Sequence, residues 1–153
     1  MCINELKSNA VRNEEHLKEK IILIAKAMDK SGMNPGTSGN ISARINEGFL
    51  ITPSSIPYTS MEPNDLFKLK INGEIIARPT HNKSLNPSSE WRLHSQILRE
   101  RKDINAIIHC HSVNASALSC HGKEIPSFHY MTAVAGGENI RCAEYATFGT
   151  SKF

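Results

Sequence analysis

The sequence predicts an α/β domain, and three observations carry that prediction. Apolar residues recur at helical spacing between Glu14 and Lys30. Two later stretches place alternating apolar residues around short turn signals, the pattern of β-hairpins. The chain has 153 residues, 39% hydrophobic and 22% charged. That is enough apolar material for one core, and too short for two ordinary domains, which most often run to about 100–150 residues. The same composition excludes an intrinsically disordered chain.

In the first helix, Leu17, Ile21, Ile24, Ala25 and Met28 supply the apolar face, and Glu14, Glu15, Lys18, Glu19 and Lys20 the polar one. Ser31-Gly32, followed by Pro35 and Gly36, stops it. Residues 1–13 read as an N-terminal extension and 14–153 as the domain. Asn40–Arg44 and Gly48–Thr52 flank Asn46-Glu47-Gly48 and predict a short hairpin. A second hairpin is predicted over Phe67–Ala77, where Phe67, Leu69 and Ile71 alternate with lysines and Asn72-Gly73 is a strong turn signal. Arg78–Pro87 is a polar loop. Ser88 and Ser89 then offer N-caps for a helix. Glu90 suits the positive end of its dipole, and Trp91, His94, Ile97 and Leu98 give the apolar face up to Arg101. Ala106–His111 reads as a buried strand. A helix over Asn114–Cys120, a loop through Gly122 and Pro126, and short elements around Met131 and Tyr145 complete the series.

Charge narrows the choice of partner. The 18 Lys+Arg against 15 Asp+Glu give +3, and the basic residues are scattered, so a nucleic-acid partner has no basis. A membrane partner has none either. The longest apolar candidate, Ile21–Ala27, is broken by Lys26 and falls short of the roughly 18–20 residues that a span requires. Residues 1–13 lack the apolar stretch of a signal peptide, so a cytoplasmic location is expected. Cys2, Cys110, Cys120 and Cys142 show no CxxC spacing and read as reduced thiols.

Several segments point to chemistry. Residues two apart on a strand face the same side, so His109 and His111 project together, with Cα atoms about 6.5–7 Å apart. Two imidazoles so placed suit one metal. An isolated His-x-His is also explained by histidines that merely hydrogen-bond at a strand end, and a catalytic metal site takes about three protein ligands. Ser88, Ser89 and Glu90 sit at a predicted helix start, where free N–H groups and hydroxyls hold a phosphate or simply cap the helix. Gly36-Thr37-Ser38-Gly39-Asn40 is a loop whose backbone can approach an anion, although glycine-rich turns are common. Thr52-Pro53-Ser54-Ser55 is a further hydroxyl-rich turn. Three such segments beside a histidine pair suggest a phosphorylated substrate.

Taken in order, these motifs resemble the class II aldolase/adducin family. The resemblance rests on Gly36–Ser42, Leu50–Tyr58, Pro87–Arg92, His109-Cys110-His111, Ile125–Met131 and Tyr145–Thr150, and spans residues 14–150. It implies a three-layer α/β/α fold around a central, mostly antiparallel sheet. It also implies a metal-dependent aldolase that cleaves a sugar phosphate to dihydroxyacetone phosphate and an aldehyde. By the same resemblance His109, His111 and Glu90 hold one Zn2+ or another divalent metal per subunit, and Glu90 doubles as general acid/base. Thr37, Asn40, Thr52, Ser54, Ser55, Ser88 and Ser89 match positions that hold the substrate phosphate. Tyr130 matches a proton donor that reaches a neighbouring subunit's site in a homotetramer.

Chemistry agrees with those roles. Breaking a carbon–carbon bond next to a carbonyl leaves an enediolate, whose charge a Lewis-acidic metal stabilises while a base takes the hydroxyl proton. One departure stands out. The family's third metal histidine lies in a His-His-Gly segment about 20 residues past the Phe-Gly-Thr motif, whereas only Ser151, Lys152 and Phe153 follow Gly149-Thr150 here. The expectation is a chain truncated at its C-terminus, with His81 the unassigned histidine available as a substitute ligand. His16, His94 and His121 read as surface or helix residues. Two other readings stay open: a sugar-phosphate epimerase or dehydratase on the same scaffold, and a non-catalytic remnant or interaction module.

Overall fold

The apolar row of the first helix packs that helix onto a sheet. The structure, a computed structural model, describes the backbone of residues 3–147 and the side chains from residue 13 onward. Helix α1 spans Ile3–Lys30, so it begins well before the predicted start at Glu14. Met1 and Cys2 lie outside the described residues, as do Phe148–Thr150 of the last motif. Ile21, Ala25 and Met28 are buried as expected, together with Ile22, whereas Ile24 is 40% exposed. Ile22 and Ile24 lie on opposite flanks of the buried row. The segment bearing Tyr58, Met61 and Leu66 joins the cluster that contains Ile22 and covers that flank.

The chain divides into two units, with the boundary between Cys110 and His111. The first contains five strands: β1 (Asn40–Ile45), β2 (Gly48–Ile51), β3 (Phe67–Leu69), β4 (Ile75–Ala77) and β5 (Ala106–His109). They form one sheet in the order β4-β3-β2-β1-β5, and each neighbouring pair is antiparallel. The alternation of side chains across a strand sorts the core into two clusters. Ile41, Ala43 and Leu50 face α1. Phe49, Ile51, Phe67 and Leu69 face the other way and pack with Leu98 of helix α2 (Trp91–Glu100). This is the three-layer α/β/α arrangement, with a sheet that is antiparallel throughout.

Both predicted hairpins form, for identifiable reasons. At the second, Gly73 takes φ +91°, and a Cβ there would lie 2.1 Å from the Trp91 ring, so the turn requires glycine both for conformation and for space. The start of α2 differs from expectation. Glu90, not Ser88 or Ser89, occupies the N-cap position. Ser88 is held instead in extended pairing: its N–H donates to the Thr52 carbonyl at 3.0 Å, next to a Pro53–Pro87 bridge. The chain is therefore free to turn only from Glu90 onward. β5 stops at His109, two residues short of the predicted His111.

The second unit contains helix α3 (Val113–Cys120), an antiparallel bridge between Ile125 and Ile140, and a 3-10 segment over Tyr130–Ala135. Its described side chains include exposed Val113, Phe128, Tyr130, Met131, Val134 and Tyr145. Among the described residues, 141–147 around Tyr145 form no regular element. Among the described residues no helix is long and apolar enough to cross a membrane.

Arg44 ties α2 to the sheet. From β1 its guanidinium donates to the carbonyls of Leu98 (2.7 Å), Arg101 (3.1 Å) and Ile104 (3.1 Å). It thus satisfies acceptors that the end of a helix leaves open, and it places positive charge at the negative end of the dipole. Arg44→Ala should lower unfolding free energy in urea by about 1–3 kcal/mol, the scale of charge-assisted hydrogen bonds whose part-buried acceptors lose their partner. Arg44→Lys should recover only part, because one ammonium cannot span the carbonyls that a planar fork reaches.

Candidate metal centre

Strand register begins the site. β1 and β5 pair with Asn40 opposite His109, which places both side chains on the face that carries α2. The approach is close at Gly39, where a Cβ would lie 2.6 Å from the His109 carbonyl oxygen and 2.8 Å from the Asn34 amide. Glu90 arrives from the N-cap of α2, delivered by the pairing of residues 86–88 with 52–54. Its carboxylate is 6% exposed, and Oε2 stands 3.3 Å from His109 Nε2.

His111 follows His109 by two peptide bonds. One ligating atom from each of Glu90, His109 and His111 lies within 4.8 Å of the others, with Glu90 buried, His109 half-buried and His111 exposed. Among the described residues this is the one such group. Zinc bound tetrahedrally at about 2.0–2.1 Å needs nitrogen and oxygen donors about 3.3 Å apart. The Glu90–His109 separation meets that requirement, and a His2Glu donor set suits a divalent metal. His81 is not part of this group; its Nε2 pairs with Asp65 Oδ1 at 2.8 Å.

Behind Glu90 runs a buried polar row. Asn40 Nδ2 donates to Glu90 Oε2 at 2.5 Å, Asn40 Oδ1 meets His94 Nε2, and His94 Nδ1 lies 2.6 Å from Ser42 Oγ. Ser42 and His94 are fully buried. Burial, and secondly the nearby His109, push His94 down to about 4, so its ring is neutral at neutral pH. His94 corrects the sequence reading, which took it for part of an apolar helix face or a surface residue. The available signal was a histidine one helical turn past Glu90 in a row otherwise occupied by core residues.

Residues 19–153 match the family described as Class II Aldolase and Adducin N-terminal domain. The chain belongs to that family. It is 43% identical over 136 residues to the 5-methylthioribulose-1-phosphate/5-deoxyribulose-1-phosphate aldolase of Rhodospirillum rubrum, a match covering 89% of this chain and 59% of the relative. The L-fuculose phosphate aldolase of Haemophilus influenzae is 41% identical over 140 residues, covering 92% and 62%. A solved L-fuculose 1-phosphate aldolase superposes with a TM-score of 0.81 at 36% identity, covering 88% of this chain and 62% of that one. The chain thus spans about 60% of the length of the curated relatives it matches.

The class II aldolase motifs occupy distinct places around the centre. Thr52 is buried, its Oγ1 accepting the Ile41 N–H at 3.1 Å. Ser54 Oγ donates to the Pro87 carbonyl at 3.0 Å and accepts the Ser89 N–H at 3.2 Å, so the Thr52–Ser55 turn and Ser88-Ser89 form one surface. Ser88 Oγ accepts the Glu90 N–H at 3.3 Å. Ser55 and Ser89 are exposed, and Ser55 holds φ +63°, the left-handed conformation that costs a non-glycine residue energy. Thr37 is exposed in the loop that leads to buried Asn40. Tyr130, in the second unit, is 77% exposed and stacks at a tilt against His129.

That loop is clamped from behind. The Tyr58 hydroxyl donates to the Gly39 carbonyl and accepts from Asn34 Nδ2 at 3.1 Å. Burial outweighs these hydrogen bonds and raises Tyr58 to about 12. An unfolded tyrosine ionises near 10.0. Between these values the unfolded state releases its proton first, so Tyr58's contribution to stability is intact below pH 10 and is lost as pH rises towards 12. Urea denaturation at stepped pH should show that fall in the wild type. Tyr58→Phe should be less stable at neutral pH and should lose this part of the alkaline dependence.

Proposed function

We propose that the chain contributes the metal- and phosphate-binding part of a class II aldolase that cleaves a phosphorylated ketose to dihydroxyacetone phosphate and an aldehyde. The observation that supports this best is the juxtaposition of Glu90, His109 and His111 beside the joined Thr52–Ser55 and Ser88-Ser89 segments. Zinc is the metal that the His2Glu donor set favours. L-Fuculose 1-phosphate is one substrate to test and 5-methylthioribulose 1-phosphate another, since relatives named for each are similarly close to this chain.

In this reading the residues divide the work. A bound divalent metal supplies Lewis-acid stabilisation of the negative charge that develops on oxygens beside the breaking bond. Exposed Thr37, Ser55 and Ser89, with the Gly36–Asn40 backbone, grip the phosphate and fix the sugar's register. Thr52, Ser54 and Ser88 hold that surface in shape through the hydrogen bonds described above. The Glu90 carboxylate takes the hydroxyl proton as the carbon–carbon bond breaks, and its burial keeps bulk water from competing. Tyr130, exposed on the second unit, serves as proton donor to the site of a neighbouring copy in a homotetramer.

The direct test is dihydroxyacetone phosphate release from a panel of ketose 1-phosphates by the zinc-loaded chain. Conversion of a panel member to an epimerised or dehydrated sugar phosphate, with no dihydroxyacetone phosphate released, would overturn the aldolase reading. Glu90→Gln should retain the fold and reduce turnover at least about 10²-fold, the scale of a lost general acid/base; an unchanged rate would remove Glu90 from the chemistry.

Metal content gives an independent check. His109→Ala and His111→Ala should each lower zinc occupancy after dialysis against trace metal. Cys110→Ala should not, because the Cys110 thiol is not among the grouped ligating atoms. Equal zinc loss in all three variants would contradict the geometry.

A further inference from the structure

The row behind Glu90 ends at groups that the proposed chemistry does not use. Ser42 and His94 are fully buried, and Asn40 and Glu90 nearly so. We propose that His94 is a positioning residue for the metal centre: it fixes the Asn40 carboxamide, and Asn40 in turn holds the Glu90 oxygen that faces His109. The inference rests on the metal-centre reading above and extends it to His94, a residue whose ring reaches the Glu90 carboxylate only through Asn40.

Donor and acceptor chemistry sets the direction of the row. An ionised carboxylate only accepts hydrogen bonds, so the end of Asn40 facing Glu90 must be its NH2 group. Asn40 Oδ1 is then the end that meets His94, which requires the proton of the ring on Nε2. Nδ1 is left as an acceptor, and Ser42 Oγ–H fills it. The reverse arrangement would place two acceptor oxygens 2.5 Å apart, at the Asn40–Glu90 contact. The tautomer of His94 and the orientation of Asn40 are therefore tied to the acceptor role of Glu90 Oε2.

The tie acts on the ligating atom itself. Glu90 Oε2 both accepts from Asn40 and stands 3.3 Å from His109 Nε2. Without the ring, nothing on the helix side holds Asn40 Oδ1, the carboxamide can rotate, and Glu90 Oε2 loses its fixed donor. Partners of this kind behind a metal ligand typically change metal affinity by about 10–100-fold.

The test is titration of the 153-residue chain with cobalt(II), followed by the visible d–d absorbance. His94→Leu should weaken cobalt binding at least about 10-fold. His94→Gln, whose side-chain nitrogen donates from close to the Nε2 position, should recover most of that loss. Asn40→Ala should weaken binding as well, and adding His94→Leu to it should cost little more, because both substitutions break the same link. A histidine that merely supports the fold would show no rescue by glutamine and no such coupling. Folding of each variant is read from urea denaturation with Trp91 fluorescence. If His94→Leu does not fold, Ser42→Ala replaces it as the milder lesion, with several-fold weaker binding expected.

Unchanged cobalt affinity in the folded variant, or fully additive losses in the double variant, would overturn the role of His94. A wild-type chain that binds no cobalt would instead overturn the metal-centre reading, and this inference with it.

Discussion

The antiparallel pairing of β1 with β5 is the constraint on which the site depends. Its register sets Asn40 against His109 and Ser42 against Ile107. One strand pair therefore delivers the His109 imidazole, the amide that contacts Glu90, and the serine beneath His94 to one face of the sheet. Because side chains alternate with a period of two, a slip of β5 by one residue would carry His109 to the face that packs against α1, away from Asn40 and Ser42. Gly39 resists such a slip, since the backbone there runs too close to the His109 carbonyl for any side chain. Tyr58 adds a second restraint by gripping the Gly39 carbonyl from inside the α1 layer.

Helix α2 is the other half of the arrangement. Arg44 fixes its C-terminal end by collecting the Leu98 and Arg101 carbonyls, and the extended Thr52–Ser88 pairing fixes where it begins. Held at both ends, the helix places Glu90 at its N-cap and His94 one turn later against the same strand. The segments that hold the Glu90 end are also the hydroxyl-rich ones assigned to phosphate. The hydroxyl-rich surface and the placement of the Glu90 carboxylate thus share one set of hydrogen bonds, and a distortion of one is felt by the other.

Much of this was legible in the sequence, because local patterns encode local structure. Asn72-Gly73 specified its turn, and the alternation of Phe67 and Leu69 specified an inward face. Other features depended on contacts between distant segments. The N-cap of α2 moved from the serines to Glu90 because Ser88 pairs with Thr52, 36 residues earlier. Ile22 replaced Ile24 in the core because the Tyr58–Leu66 segment covers one flank of α1. His94 was missed for a related reason: periodicity identifies a buried position but does not say what a polar side chain there will meet, and its partners Asn40 and Ser42 come from β1.

The layer between α2 and the sheet is divided in a way that stability alone does not explain. One part is apolar, with Phe49, Ile51, Phe67, Leu69 and Leu98 buried together. The other part, at the same depth, holds Asn40, Ser42, His94 and Glu90. Burying such groups costs about 1–3 kcal/mol each when a partner is missing, and even a satisfied network rarely outperforms a well-packed apolar one. Here the network is satisfied: no described buried side-chain nitrogen or oxygen lacks a hydrogen-bond partner. What the polar half provides that an apolar half would not is direction, because each donor and acceptor in it has one consistent orientation, ending on the carboxylate oxygen beside His109. A fold that concentrates its buried polar groups behind the Glu90 carboxylate, and fills the rest of the same interface with hydrocarbon, has placed its least stabilising packing where orientation matters most.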